Sequence, residues 1–310
     1  MGAGVHAPSA LRTLLLTAAA MVAFAANSLL CRLALQQGGI DPASFSSIRL
    51  VSGALALVLI VRLRAPNAPP PGKPDGWAAG MLFAYVLFFS VAYLSLGAGT
   101  GALILFGAVQ LTMCLAGWRA GERFGTAGGL GFAAALAGLV ALVLPGVTAP
   151  EPLGALSMAV AGVAWGVYSL RGRGVADPLA ATASNFMGAA PMALAVSVLL
   201  FRSAHFSAAG IALAVASGAL TSGVGYVIWY AALRGLTALR AAAVQLSVPP
   251  LAAFGGVLLL DEAITPRLVG ASVAILGGIA LVLVARVRRV SAPSPSPSAS
   301  ESASKSSSSS

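Results

Sequence analysis

Two five-residue stretches put the same side chains in the same kind of surroundings. Ala108-Val109-Gln110-Leu111-Thr112 is answered by Ala243-Val244-Gln245-Leu246-Ser247, and the only other glutamines are Gln36 and Gln37. Each stretch lies inside a long apolar run. An amide in hydrocarbon costs several kcal/mol unless something hydrogen-bonds it. A duplicated amide therefore implies a shared interior where the two meet each other, water or a ligand. The chemistry on offer is binding rather than bond-breaking.

Aromatic residues add to that interior. Tyr85, Phe89 and Tyr93 recur every four positions, as do Ser222, Tyr226 and Tyr230, and Trp165 and Tyr168 share a face at a spacing of three. Aromatics so spaced are commonly packing, and Tyr93 and Tyr230, near the ends of their runs, also suit interfacial anchors. Their duplication keeps a cavity role equally open. Asn27 and Asn185 need partners that bonds between helices could supply. The candidate substrate-binding set is Asn27, Tyr85, Phe89, Gln110, Trp165, Tyr168, Ser222, Tyr226 and Gln245.

Other chemistries find no footing. Asp41, Asp75, Glu122, Glu151, Asp177, Asp261, Glu262 and Glu301 all fall in loops or at helix ends. No carboxylate is thus expected within the membrane, where proton-coupled cation exporters keep one, and simple carboxylate-based proton antiport is not expected. Asp41 and Asp177 precede prolines and read as helix caps. Glu122 is expected to pair with Arg119 or Arg123, and Glu262 to cap or pair at a helix end. Arg32 and Arg49 are read as snorkelling to the outer surface, with an anionic solute group as the alternative. His6 and His205 have no ligand-spaced partners, and Cys31 and Cys114 read as small core residues, so neither a metal nor a cofactor is expected. There are two lysines and neither follows a glycine-rich loop, which argues against nucleotide hydrolysis. Gly128-Gly129-Leu130-Gly131, and Gly270, Ala274 and Gly277-Gly278, read as close-packing surfaces between helices.

The elements that hold these residues follow from composition. Hydrophobic residues make up 58% of 310 positions and charged residues 8%, with a mean hydropathy of +0.93. Soluble chains carry about 25% charged residues; this one must be solvated mostly by lipid. The net charge of +10 sits mainly at the ends of apolar runs, which fits membrane topology rather than nucleic-acid binding. Ten runs approach the roughly 20 apolar residues that a span needs: 11–35, 43–61, 77–96, 99–118, 127–145, 153–171, 179–201, 208–232, 237–260 and 266–285. Pro249-Pro250 should kink the ninth. No removable signal peptide is expected. Lysine and arginine near the spans divide thirteen against four between the two sides. The positive-inside rule then puts both termini in the cytoplasm.

The halves repeat in order. Asp41-Pro42 matches Asp177-Pro178, Ala92-Tyr93 matches Trp229-Tyr230, Thr100 matches Thr237, and Gly121-Glu122 matches Asp261-Glu262. Five spans per half make the second copy enter the membrane inverted, as in secondary transporters with a midplane site. The expected fold is all-α integral membrane: a tail (1–10), a first five-helix repeat (11–145), a connecting loop (146–152), an inverted second repeat (153–288) and a disordered Ser/Pro-rich tail (289–310).

The ten spans, the Asp-Pro starts and the Gly121-Glu122-Arg123 and Asp261-Glu262 helix ends resemble the EamA-type branch of the drug/metabolite transporter superfamily. The resemblance covers about residues 11–288. It departs at Asp261, where a glycine is common, and at Glu262, which no basic residue follows. It implies secondary transport of a metabolite, amino acid or drug-like solute across the inner (plasma) membrane by alternating access, with no enzymatic activity. The cavity residues suit a neutral, zwitterionic or aromatic solute. Two alternatives stand beside this: a phosphorylated or nucleotide-linked solute held by Arg32 or Arg49, and a non-transporting scaffold or assembly protein. The expected partners are a small-molecule solute and the lipid bilayer, with no nucleic acid, and a homodimer is an allowed assembly.

Overall fold

The computed structural model describes residues 10–36, 38–64, 66, 72–119, 125–144, 146, 149–172, 175–236, 241 and 244–290, without the side chains of 283 and 285–290. The tail residues 1–9 and 291–310 lie outside the described residues, as do Glu122, Arg123, Thr237 and Ala243. Among the described residues the chain is helical throughout, with one isolated bridge between Ile40 and Phe206. Hydrocarbon offers no partner to a backbone amide, so a helix that satisfies its own hydrogen bonds is the form these apolar runs must take.

The helices, in order, are α1 (Ala10–Gln36), α2 (Pro42–Arg64), α3 (Gly76–Ala92), α4 (Ala98–Arg119), α5 (Thr126–Val143), α6 (Pro152–Arg171), α7 (Pro178–Leu199), α8 (Ala208–Leu233), α9 (Val248–Leu260) and α10 (Pro266–Val290). Seven of them are long and apolar enough to cross a membrane; α3, α9 and the stretch Pro266–Val282 of α10 are apolar but shorter. Leu63, Val198, Leu199 and Val273 are among many large apolar side chains that point outward. That is the surface a lipid solvent requires.

Asp41 and Asp177 cap their helices as expected, and Asp75 and Glu151 start two more. Asp41 accepts from the backbone N–H of Ala43 and Ser44, Asp177 from Leu179 and Ala180, Asp75 from Trp77 and Ala78, and Glu151 from Leu153 and Gly154. Asp41 also accepts from His205 N–H at 3.2 Å, tying the α1–α2 turn to the α7–α8 connection. The prolines of the ninth run do not bend a continuous helix. Leu246 and Ser247 form a turn, and Pro249-Pro250 open α9, where their missing N–H groups cost nothing.

Helix pairing across the halves follows a pattern. α2 packs on α7, α4 on α9 and α5 on α10, while α3 packs on α6 and α1 on α8. Exchanging each helix with the one five places along leaves this set of pairs unchanged. The small residues of α5 and α10 divide by face. A Cβ on Gly131 would come within 2.5 Å of the Gly278 carbonyl, so these backbones touch, whereas Gly129, Gly270 and Gly277 face open space.

Two stability results follow. Asp261 ends α9 with φ 53° and ψ 31°, the left-handed region that glycine adopts freely. Asp261→Gly should therefore stabilise the fold by roughly 0.5–1 kcal/mol, read as a higher unfolding temperature in detergent; a lower one would reveal a compensating side-chain contact. For Asp41, desolvation raises the pKa, but the hydrogen bonds from Ser44, His205 and Ala43 outweigh it and hold the carboxyl below its ordinary value. A depressed carboxylate contributes stability that is complete above its unfolded pKa and is lost as pH falls through the folded one. Asp41→Asn keeps the capping oxygen without the charge. Its unfolding temperature should therefore fall less than the parent's between about pH 5 and pH 3.

Candidate functional site

A cavity of about 670 Å³ lies within the bundle, walled by α1, α2, α3 and α4 from one side and by α6, α7, α8, Ala241 and Gln245 from the other. α5 and α10, packed on one another, contribute nothing to the wall. At one end the lining includes Lys73, Asp75, Arg171 and Pro178, where α3, α6 and α7 begin or end, so the cavity reaches the surface there. At the other end it stops at Phe89, Arg49 and Ser222. Beyond these, Tyr93, Phe45 and Leu96 fill the space and are 0–1% exposed.

The closed end is built by the approach of α2 to α8. Residues Ala216–Val224 of α8 wind as a π-helix, a variant frequent at functional sites. A Cβ on Gly218 there would fall 2.2 Å from the Arg49 carbonyl, so only glycine admits α2 this closely. The same segment turns Ser217 and Thr221 onto Asn27, whose Oδ1 accepts from them at 2.7 and 3.2 Å. Ser222 is left facing Arg49 Nε at 3.4 Å.

The middle of the cavity is aromatic. Trp165 of α6 stacks on Tyr226 of α8, with ring centres 5.7 Å apart and planes 17° apart, and on Tyr168 at 5.3 Å and 27°. Tyr85 of α3 lies 4.9 Å from Trp165 and continues to Phe89 at 5.3 Å. Helices of both halves thus share one run of rings. Gln110, buried on α4, and half-buried Gln245 also face the cavity.

All nine residues singled out from the sequence line this one space. Tyr93 does not. It is fully buried behind Phe89, its hydroxyl donating to the Ala98 carbonyl at 3.4 Å, and is no interfacial anchor. Tyr230 is on the cavity wall, hydrogen-bonded to Thr182 Oγ1 at 2.7 Å. Asn185 also lines it and accepts from Asp75 N–H at 3.3 Å.

Neither Arg32 nor Arg49 snorkels outward. Arg49 is 1% exposed and lies on the cavity wall. Two turns of α2 set it about 10 Å below the helix start, too deep for its stem to reach the surface. Arg32 folds across the closed end: Nη1 donates to the Tyr93 and Leu94 carbonyls at 2.9 and 3.0 Å, and Nε meets Glu262 at 3.3 Å. The two Glu262 oxygens accept from Ala98 N–H at 3.0 and 2.8 Å, so one carboxylate pairs with α1 and caps α4. At the open end Asp75 pairs closely with Arg171, and that hydrogen bond holds its carboxyl below the usual carboxylate range.

Comparison with known proteins agrees with the architecture. The model of the EamA-like transporter family matches residues 152–284. An uncharacterized protein of Pseudomonas aeruginosa, PA1977, is 53% identical over 281 residues, covering 90% of this chain and 97% of its own. A protein crystal structure at 22% identity superposes with a TM-score of 0.65 over 90% of this chain and 99% of its own, a likeness of fold. A multi-pass helical bundle of this composition, with that family's pattern across its second half, belongs to the EamA-like transporter family, the EamA-type branch of the drug/metabolite transporter superfamily.

Proposed function

We propose that this protein is a secondary transporter that carries a small organic solute across the cytoplasmic membrane by alternating access. The observation that carries the reading is the cavity of about 670 Å³: polar and aromatic side chains from both halves line it, in a body otherwise sheathed in apolar residues. Its size is that of a small-molecule site, and hydrocarbon tolerates such polar walls only around water or a ligand.

In this reading the chain crosses the membrane ten times as two inverted five-helix units, 11–145 and 153–288. The exchange symmetry of the helix pairs supports it, since units related by a two-fold axis in the membrane plane must pair this way. Both termini are cytoplasmic by the distribution of basic residues. The end open at Asp75 and Arg171 then faces the cytoplasm, and Arg32–Glu262 closes the outer end. Asn27, Tyr85, Phe89, Gln110, Trp165, Tyr168, Ser222, Tyr226 and Gln245 contact the solute. Transport proceeds by rocking one unit against the other, which opens the outer end as the inner one closes.

The paired amides separate this reading from a scaffold. In proteoliposomes, Gln110→Leu and Gln245→Leu should each reduce solute counterflow by about tenfold or more while the folded protein and its unfolding temperature are kept. Unchanged counterflow in both variants would contradict it.

A further inference from the structure

The deepest charge among the described residues has no counter-charge among them. Arg49 Nη2 donates to the Tyr85 hydroxyl at 3.2 Å, and the guanidinium carbon lies 5.3 and 5.0 Å from the Tyr85 and Phe89 ring centres. Nη1 is buried and has no hydrogen-bond partner among the described residues. The side chains that hydrogen-bond Arg49 are the hydroxyls of Tyr85 and Ser222, and neither is a carboxylate. The six acidic residues within the described chain all sit at helix ends or connections. A guanidinium withdrawn from water and unpaired costs far more than ring faces and neutral hydroxyls return.

We propose that Arg49 anchors the acidic group of the solute, and that the solute is an organic carboxylate with a flat apolar body. Arg49 lines the cavity and its Nη1 is unpaired; neighbouring side chains cover that nitrogen in this state, so the solute's acid reaches it as they move aside. The rings of Tyr85, Trp165 and Tyr226, next along the wall, supply a slot for a flat body. The same inventory argues against an ammonium on the solute. Asp75 is the acid on the described cavity wall, and it is committed to Arg171 and to the first turn of α3. A phosphate is a poor fit as well, because its extra charge and three acceptor oxygens call for more donors than the closed end provides. Only the word solute rests on the transport reading; the binding site does not.

Equilibrium binding to the purified protein in detergent tests this without flux. The probes are indole-3-acetate, its neutral isostere indole-3-acetamide, and inorganic phosphate. The acid should bind about tenfold or more tighter than the amide. Arg49→Gln should abolish that preference and Arg49→Lys should keep part of it. Equal affinity for acid and amide in the parent protein, no binding of the acid at millimolar concentration, tighter binding of phosphate, or an acid preference surviving in Arg49→Gln would each overturn the proposal. The parent comparison stands even if a variant fails to fold. Acid-selective binding without counterflow would retire transport and leave Arg49's role intact; counterflow with no acid preference would do the reverse.

Discussion

Lipid tails cannot accept a hydrogen bond, and the arrangement of this chain follows from that constraint. Its apolar residues need no help at the outer surface. Its few polar side chains must find partners, and several of them do so around the cavity. Ser217 and Thr221 answer Asn27, Thr182 answers Tyr230, and Tyr85 and Ser222 share Arg49. What those groups cannot satisfy among themselves is left facing a cavity. Much of the polar interior and the site are therefore one feature.

The two ends of the cavity are held differently. At the closed end a half-buried ion pair, Arg32–Glu262, is reinforced by hydrogen bonds to three backbone groups around the α3–α4 turn, the Ala98 N–H being shared by both carboxylate oxygens. At the open end Asp75–Arg171 is exposed, and a pair in water contributes little. The left-handed turn at Asp261 orients Glu262 for the stronger latch. In the proposed cycle the latch weighs against opening on its side, and the solute's contacts across both units offset it.

Much of this was legible in the sequence because membrane helices leave strong marks. Unbroken apolar runs gave the helices, the Asp-Pro starts gave caps that the structure contains, and the duplicated glutamines pointed to residues that share the cavity wall. Arg49 reads as a surface residue in the sequence because arginines near the ends of apolar runs usually are. Its depth, eight residues into α2, was the available signal against that. The π-helical segment carries no sequence mark of its own, and the close contact of Gly218 with α2 that lies within it is tertiary. Arg32 and Glu262 are 230 positions apart, and nothing local links them. Pro249-Pro250 carried a true signal whose meaning, a fresh helix start rather than a kink, depended on the turn before it.

Distances between spin labels at the two ends, measured in nanodiscs after Cys31 and Cys114 are replaced by serine, address alternating access most directly. One label pair would sit at Trp77 and Val175 beside the open end, the other at Leu94 and Ile264 beside the latch, all exposed positions. Breaking the latch with Glu262→Gln should lengthen the second distance and shorten the first. If both distances stay fixed, or both lengthen together, the two ends do not open in turn.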